Sequence, residues 1–293
     1  MALVQTKSMI VPDVYAGLVT EKVKGQVKVA QLADNLGNLM DKEVGETVTF
    51  PVWKRIADAS DITPGTAMTS VEMEQTSSQA KIKMIAAPGI KVYDYDNMIA
   101  LGNAIQEGAS QQGTSIARKL DTDLIAEAYK APFRNKIATK NTITEDELLS
   151  GLALYGDERD TADFAAIVCH SNFATSFYKM DGFVKRDISY VPENNASTVV
   201  NGVIGSYMGI PVVLSDRLYD STNTEGYVLI IKKHSLGYMP KEQPFVEANR
   251  DASKRCTEVF CSQIYAVKLI DESGIVICKT VTTLPEEDDE EST

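Results

Sequence analysis

Residues 46–53 read ETVTFPVW and residues 81–93 read KIKMIAAPGIKVY, and what lies between these two segments decides the fold. In the first, Val48, Phe50 and Val52 share one side; in the second, Ile82, Met84, Ile90 and Val92 do. A period of two marks a half-buried strand. Between them, residues 54–78 (KRIADASDITPGTAMTSVEMEQTSS) are mostly polar, with a turn at Pro64-Gly65. A structureless stretch of that length is uncommon inside a compact domain and usually serves a purpose of its own. Strands that run out and back around such a reach predict a projection whose partner is another molecule. The expectation is an assembly protein and not an enzyme.

Working outward, residues 12–24 predict a short helix after Pro12, and 26–33 (QVKVAQLA) alternate and read as extended chain. Residues 1–44 hold too little apolar surface for a core of their own and read as an arm lying along something else. On the other side, Asp94 or Asp96 is placed to cap a helix that runs to about Ala131 and stops at Pro132. Its apolar stripe is Met98, Leu101, Ile105, Ala109, Ile116, Leu120, Leu124 and Ala128. Glycines at 102, 108 and 113 each cost about 1 kcal/mol in a helix interior, so they imply a bend, a close neighbour or a break. Thr144 with Glu147 forms a capping box opening a helix through Leu154, and Ser171 is placed to start another. Residues 163–169, 210–214 and 226–232 are apolar runs of the kind buried on both faces. Helices interleaved with such strands predict a mixed α/β module. The last part (236–247, 255–270, 274–282) is strand-rich, with a charged hairpin tip at 248–254. No fixed-period repeat is present.

At 293 residues the chain is long enough for two modules. No apolar run approaches a membrane span, and MALVQTKSMI is not a signal peptide, so the product is expected to stay where it is made. Half of the net charge of −12 sits in Glu286–Glu291 (EEDDEE), which reads as a solvated end. The rest lacks the basic footprint of specific nucleic-acid binding, although passive containment needs none. Cys169, Cys256, Cys261 and Cys278 show no metal spacing and are expected to be reduced. His170 and His234 lack a placed nucleophile; Gly202, Gly205 and Gly209 read as turn glycines; Asp94/Asp96 and Asp121/Asp123 are spaced for caps or solvent, not for a shared cation. The Asn195-Ala196-Ser197 sequon carries no weight without secretion. No catalytic, cofactor or metal site is expected.

The order of these segments resembles the major capsid protein family of tailed bacteriophages, the Hong Kong 97-type fold, over nearly the whole chain. The matching stretches are Met9-Ile10-Val11-Pro12 opening the arm, Gly45–Pro51 entering the extended E-loop, the helix at 96–131, Gly205–Val212 (GSYMGIPV), and the closing run 226–278 with Glu247, Arg250 and the Asp271–Gly274 turn. The resemblance implies an α+β (mixed α/β) fold: an N-terminal arm (1–44), an E-loop hairpin (45–95), a P domain with a long spine helix and strands (96–142 and 236–270), an A domain with a mixed sheet flanked by helices (143–235 and 271–284), and an acidic disordered tail (285–293). It implies hexamers and pentamers tiling an icosahedral shell around packaged double-stranded DNA, with scaffolding, portal and decoration proteins as partners. The expected location is the virion, after assembly in the host bacterial cytoplasm. Scaffolding is either a removed extension or a separate protein. Carried onto this chain, Lys54 and Arg55 lie on the loop, and Arg250, Lys254 and Arg255 lie on or beside the tip, forming inter-subunit ion pairs with acids such as Glu247 and Asp251. No motif supports the lysine–asparagine cross-link of some relatives, and none is expected. An encapsulin-type compartment shell shares the fold and is the alternative, with an α/β enzyme as the opposing class.

Overall fold

Apolar periodicity sorts this chain into two sheets that share one long helix. The computed structural model describes residues 12–39, 43–53, 70, 72–73, 75–95, 104–157, 160–185, 202–241 and 244–280. In chain order the elements are α1 (Pro12–Gln26), β1 (Asp34–Asn35), β2 (Thr47–Trp53), β3 (Gln75–Lys81), β4 (Lys83–Tyr93), α2 (Ala104–Ala128), β5 (Phe133–Lys136), α3 (Glu145–Ala153), β6 (Phe164–Cys169), β7 (Phe183–Lys185), β8 (Val203–Tyr207), β9 (Ile210–Leu214), β10 (Tyr219–Asp220), β11 (Glu225–Gly226), β12 (Val228–Lys232), β13 (Leu236–Pro240), β14 (Phe245–Asp251), β15 (Cys256–Leu269) and β16 (Ile275–Lys279). The fold class is mixed α+β, as expected from the residues.

One sheet has seven strands in the order β5-β16-β12-β6-β9-β8-β7, parallel at β6/β9 and β16/β5 and antiparallel elsewhere. Its central strands are the apolar runs, and successive side chains go to opposite faces. Ala166, Val168, Val213, Leu229 and Ile277 pack toward α2, while Ile167, Val212, Ile230 and Val276 pack toward Leu148, Phe173 and Phe177. The capping box is present: Thr144 Oγ1 accepts from Glu147 N, and the Glu147 carboxylate accepts from Thr144 N at 2.8 Å. After β6 the chain makes a short helical turn whose cap is His170, accepting from Asn172 N through Nδ1, and not Ser171. Gly202 and Gly209 adopt positive φ as turn glycines do, whereas Gly205 lies inside β8, where the backbone passes close to Phe183 and Val184.

The second sheet is built on β15. One edge pairs with β14 and then β13, which carries β1; the other edge pairs with β4. One face of this sheet packs on α2, whose Ala109, Ile116, Leu120, Leu124 and Ala128 are all buried. The helix runs unbroken through Gly108 and Gly113, so of the three expectations for these glycines a close neighbour holds. A Cβ at Gly113 would stand 3.0 Å from Lys22 Cβ and 3.1 Å from the Val19 carbonyl, both on α1.

Three expectations are corrected. Residues 27–33 are not extended but turn, because Asp121 on α2 reaches in: its carboxylate accepts from the backbone N–H groups of Lys28, Val29 and Ala30 at 2.9, 3.1 and 3.0 Å. Nor do the described residues of the arm wait for an outside surface, since Tyr15, Val19, Val23, Val27 and Val29 are buried in the core shared with α2. Finally, β2 does not pair with the apolar alternation of 82–93. It pairs with β3, from Thr47↔Lys81 to Trp53↔Gln75, so the far strand of the hairpin comes from the polar stretch. Strand β4 joins β15 instead, and the expected single face of Ile82, Met84, Ile90 and Val92 is interrupted. Ile85 and Ala87 face inward up to a bulge at Pro88-Gly89, where two residues oppose Phe260, after which Ile90 and Val92 do. Residues 54–69, the first turns expected for the helix (96–103) and the acidic segment 285–293 lie outside the described residues.

Candidate assembly interface

The face of β4, β15 and β14 turned away from α2 leaves apolar surface uncovered. On β15 the odd positions Val259, Cys261, Tyr265 and Val267 enter the core, which sends Glu258, Phe260 and Ser262 outward. The register places Phe245 beside Ser262, Glu247 beside Phe260 and Asn249 beside Glu258. On the other edge Met84 lies opposite Ile264 and Ala86 opposite Ser262. Phe245 is 56% exposed, Phe260 47% and Met84 56%. The Phe260 ring lies over Gly89, where an added Cβ would come within 2.6 Å of it, so the bulge glycine seats the ring flat on the sheet. Three large apolar side chains on one open sheet face form a patch of the kind that marks an interaction site.

At one end of this face stands the base of the β2–β3 hairpin. Phe50 is fully buried there, with Val48, Ala80 and Ile82, against Met239 and Ala266. Gly237 makes room, since a Cβ at that position would lie 2.9 Å from the Phe50 ring. Ile82 N donates to the Glu46 carbonyl and Gly45 N to the Ile82 carbonyl, closing the base. The hairpin is therefore anchored to the chain's own sheet at its root, and its described pairing ends at Trp53 and Gln75.

At the other end lies the charged tip. Arg250 donates from both terminal nitrogens to the two Asp94 oxygens, 2.6 Å each, and from Nη1 to Thr257 Oγ1 at 3.1 Å. The Arg250 hydrogen bonds hold the Asp94 carboxyl below its ordinary pKa. Asp251 closes the turn by accepting from Ser253 Oγ, Ser253 N and Lys254 N, and Lys254 Nζ lies 3.2 Å from it. These bonds, that from Ser253 Oγ foremost, depress the Asp251 pKa well below the carboxylate range. Arg255, exposed and at φ 49°, accepts from Asp94 N through its carbonyl, and its charge also acts on Asp94. Lys91 and Glu258 pair across strands at 2.8 Å.

Of the residues singled out from sequence, the structure brings Arg250, Asp251, Lys254 and Arg255 together at the tip, with Glu247 exposed further down β14 beside Phe260. Arg250 and Lys254 each already hold an acid of their own chain. Lys54 and Arg55 lie outside the described residues. Sequence reasoning missed Asp94 as the partner of Arg250, which is 156 residues distant, and the Phe245–Phe260–Met84 patch. The signal for the patch was present: in FVEAN and TEVFCS a bulky ring occupies the side that otherwise carries polar residues.

Other polar contacts lie away from this face. Asp123 accepts from Tyr265 Oη at 2.9 Å, and Lys279, 3% exposed, is held between Asp220 and Tyr129 Oη. His234 pairs with Asp34, and His170 leans on Tyr219. The four cysteines are free and buried. Among the described residues no three potential metal ligands cluster, and no helix is long and apolar enough to cross a membrane.

Comparison with known proteins completes the picture. No family model matches the chain. A major capsid protein of Staphylococcus phage phiMR11 is 25% identical over 274 residues, covering 94% of both chains. Among solved structures, the capsid of cyanophage P-SCSP1u superposes with a TM-score of 0.58 at 15% identity, over 88% of this chain and 89% of that one. A virus-like particle from Pyrococcus furiosus superposes with a TM-score of 0.59 at 9% identity, over 91% and 98%.

Proposed function

We propose that this chain, which has the Hong Kong 97-type capsid fold, is the major capsid protein of a tailed bacteriophage: a structural subunit of the virion shell and not an enzyme. The observation that carries the reading is the correspondence with a phage major capsid protein over 94% of both lengths. In domain terms, the seven-stranded sheet with α3 is the A domain, α2 with the sheet on β15 is the P domain, and β2–β3 is the root of the E-loop.

The geometry supports a division of labour between neighbours. A hairpin rooted in its own P domain leads into residues 54–74, while the same P domain offers the open face of Phe245, Phe260 and Met84. The loop of one subunit covers the patch of the next, with Lys54 and Arg55 available to Glu247, and the Arg255 side of the tip meets other tips. Burying such a patch contributes roughly 25 cal/mol per Å² of apolar surface removed from water, and ring closure multiplies a modest contact. Hexamers and pentamers, scaffolding and portal partners, double-stranded DNA held by containment, and assembly in the bacterial cytoplasm belong to this reading.

Negative-stain imaging of the expressed chain, alone and with a co-expressed scaffolding partner, should show capsomer rings or closed shells; a monomeric, particle-free product in both would overturn it. Replacing 54–74, and leaving β3 intact, by a short Gly-Ser linker should give a folded subunit that forms no shells. The virus-like particle similarity favours one second reading, a compartment shell, and duplex DNA inside particles isolated from their native source decides against it.

A further inference from the structure

On the far side of α2 from the open sheet face, a groove of about 620 Å³ runs between α1, α2 and the turn after β9. Lys22 of α1, Arg118 and Lys119 of α2, and Arg217 of the turn line it, with Thr114 among the hydroxyls and Glu107 as the acid. Four cations gathered on one face stand out in a chain of net charge −12. Internal acids neutralise them incompletely. Asp216 is shared at 3.7 Å between Arg118 and Arg217, Asp123 takes Lys119 at 2.9 Å, and Lys22 has no acidic partner among the described residues. Arg217 Nε is enclosed and donates to nothing described.

We propose that the acidic run Glu286–Glu291 of the same chain occupies this groove. Reach supports it. Cys278 lies beside Val228, Val228 beside Cys169, and Cys169 beside Leu214, so the end of β16 and the start of the Arg217 turn share one end of the sheet. Three strand spacings separate them, about 14 Å. The six residue steps from Thr280 to Glu286 span up to about 20 Å of extended chain. The first acid therefore meets Arg217, and the five that follow run along α2 toward Lys119, Arg118 and Lys22. Charge supports it as well, since six consecutive carboxylates face four cations. The pairs are near the surface, so the contact is salt-sensitive and releasable. The inference concerns a single chain and stands apart from the capsid reading.

The test is carbodiimide coupling on a mixture of unlabelled and 15N-labelled full-length protein, mapped by mass spectrometry. Lys22 or Lys119 should join an acid within 286–291 on the same isotopic chain at low salt, and the yield should fall several-fold at about 0.5 M salt, where the screening length drops below roughly 5 Å. Replacing all six acids by Gln or Asn should abolish these products and leave other cross-links unchanged. Products found only between differently labelled chains, products indifferent to salt, or no products at those two lysines would overturn the proposal. So would groove lysines protected by a short DNA duplex in wild-type and six-fold variant alike, which would assign the groove to phosphate.

Discussion

The seven-stranded sheet buries both of its faces within the chain, whereas the sheet built on β15 buries one face on α2 and leaves the other to Phe245, Phe260 and Met84. The central strands match this difference: β6, β9 and β12 are nearly continuous apolar runs, whereas β15 (CTEVFCSQIYAVKL) interleaves polar residues. So does what covers them. The first sheet has α2 on one side and α3 with the 171–177 turn on the other; the second has α2 and then only the root of a hairpin at one end. One module is finished by folding; the other, on the proposed reading, is finished by neighbours. A subunit of this kind can be stable before it assembles and still have a reason to assemble.

That contrast can be broken at either module. Ile167→Ala removes a fully buried side chain from the central strand of the closed sheet, where a cavity cannot collapse easily. It should cost about 3 kcal/mol, read by denaturant unfolding of the subunit, and lower shell yield only through lost stability. Phe245→Ser with Phe260→Ser is the converse. Both side chains are about half exposed, so the subunit's unfolding midpoint should move by less than the Ile167→Ala change, while particle formation by light scattering should fall at least about tenfold. If the double variant assembles normally, the open face is not an interface.

The smallest effect concerns the packing of α1 on α2 and the open module. Burial pushes the Tyr15 phenol up to about 12 from its ordinary 10, with the Cys261 thiol adding to it, and its hydroxyl donates to Gln112 Oε1 at 2.8 Å. The folded state therefore holds the neutral form more tightly than the unfolded state does. The stabilisation is complete below pH 10 and is lost as pH rises toward 12. Tyr207 and Tyr238, also raised to about 12 by burial, share that window. Tyr15→Phe should make the subunit slightly less stable at pH 8 and reduce the fall in stability between pH 10 and 12, checked by thermal unfolding at stepped pH.

What the sequence made legible follows from how local each cause is. The apolar runs at 163–169, 210–214 and 226–232 are short and read as strands buried on both sides, and the Thr144–Glu147 capping box is a contact over three residues. The helix at 104–128 declared itself by its stripe. By contrast, β3 is polar (QTSSQAK) and owes its strand to pairing with β2, a partner chosen across residues 54–74. Alternation in 26–33 predicted extended chain, but the Asp121 carboxylate, more than ninety residues away, takes those three N–H groups and bends the segment. The face switch in β4 depends on Phe260 arriving opposite Gly89. Of the assembly surface, the charges at the tip were visible as charges, while their pairing with Asp94 was not. Long-range partners decide such matters, and one segment read by itself does not contain them.

Gln112 carries a consequence of its own. Its amide nitrogen donates to the carbonyls of Pro88 and Val259, 3.0 Å each, and its oxygen accepts from Tyr15. One side chain on the spine thus clasps the kink in β4, the strand beside it and the N-terminal helix at a single knot. Any change in the arch of the sheet at Pro88-Gly89 pulls on α1 through that knot, so the N-terminal helix and the open sheet cannot flex independently.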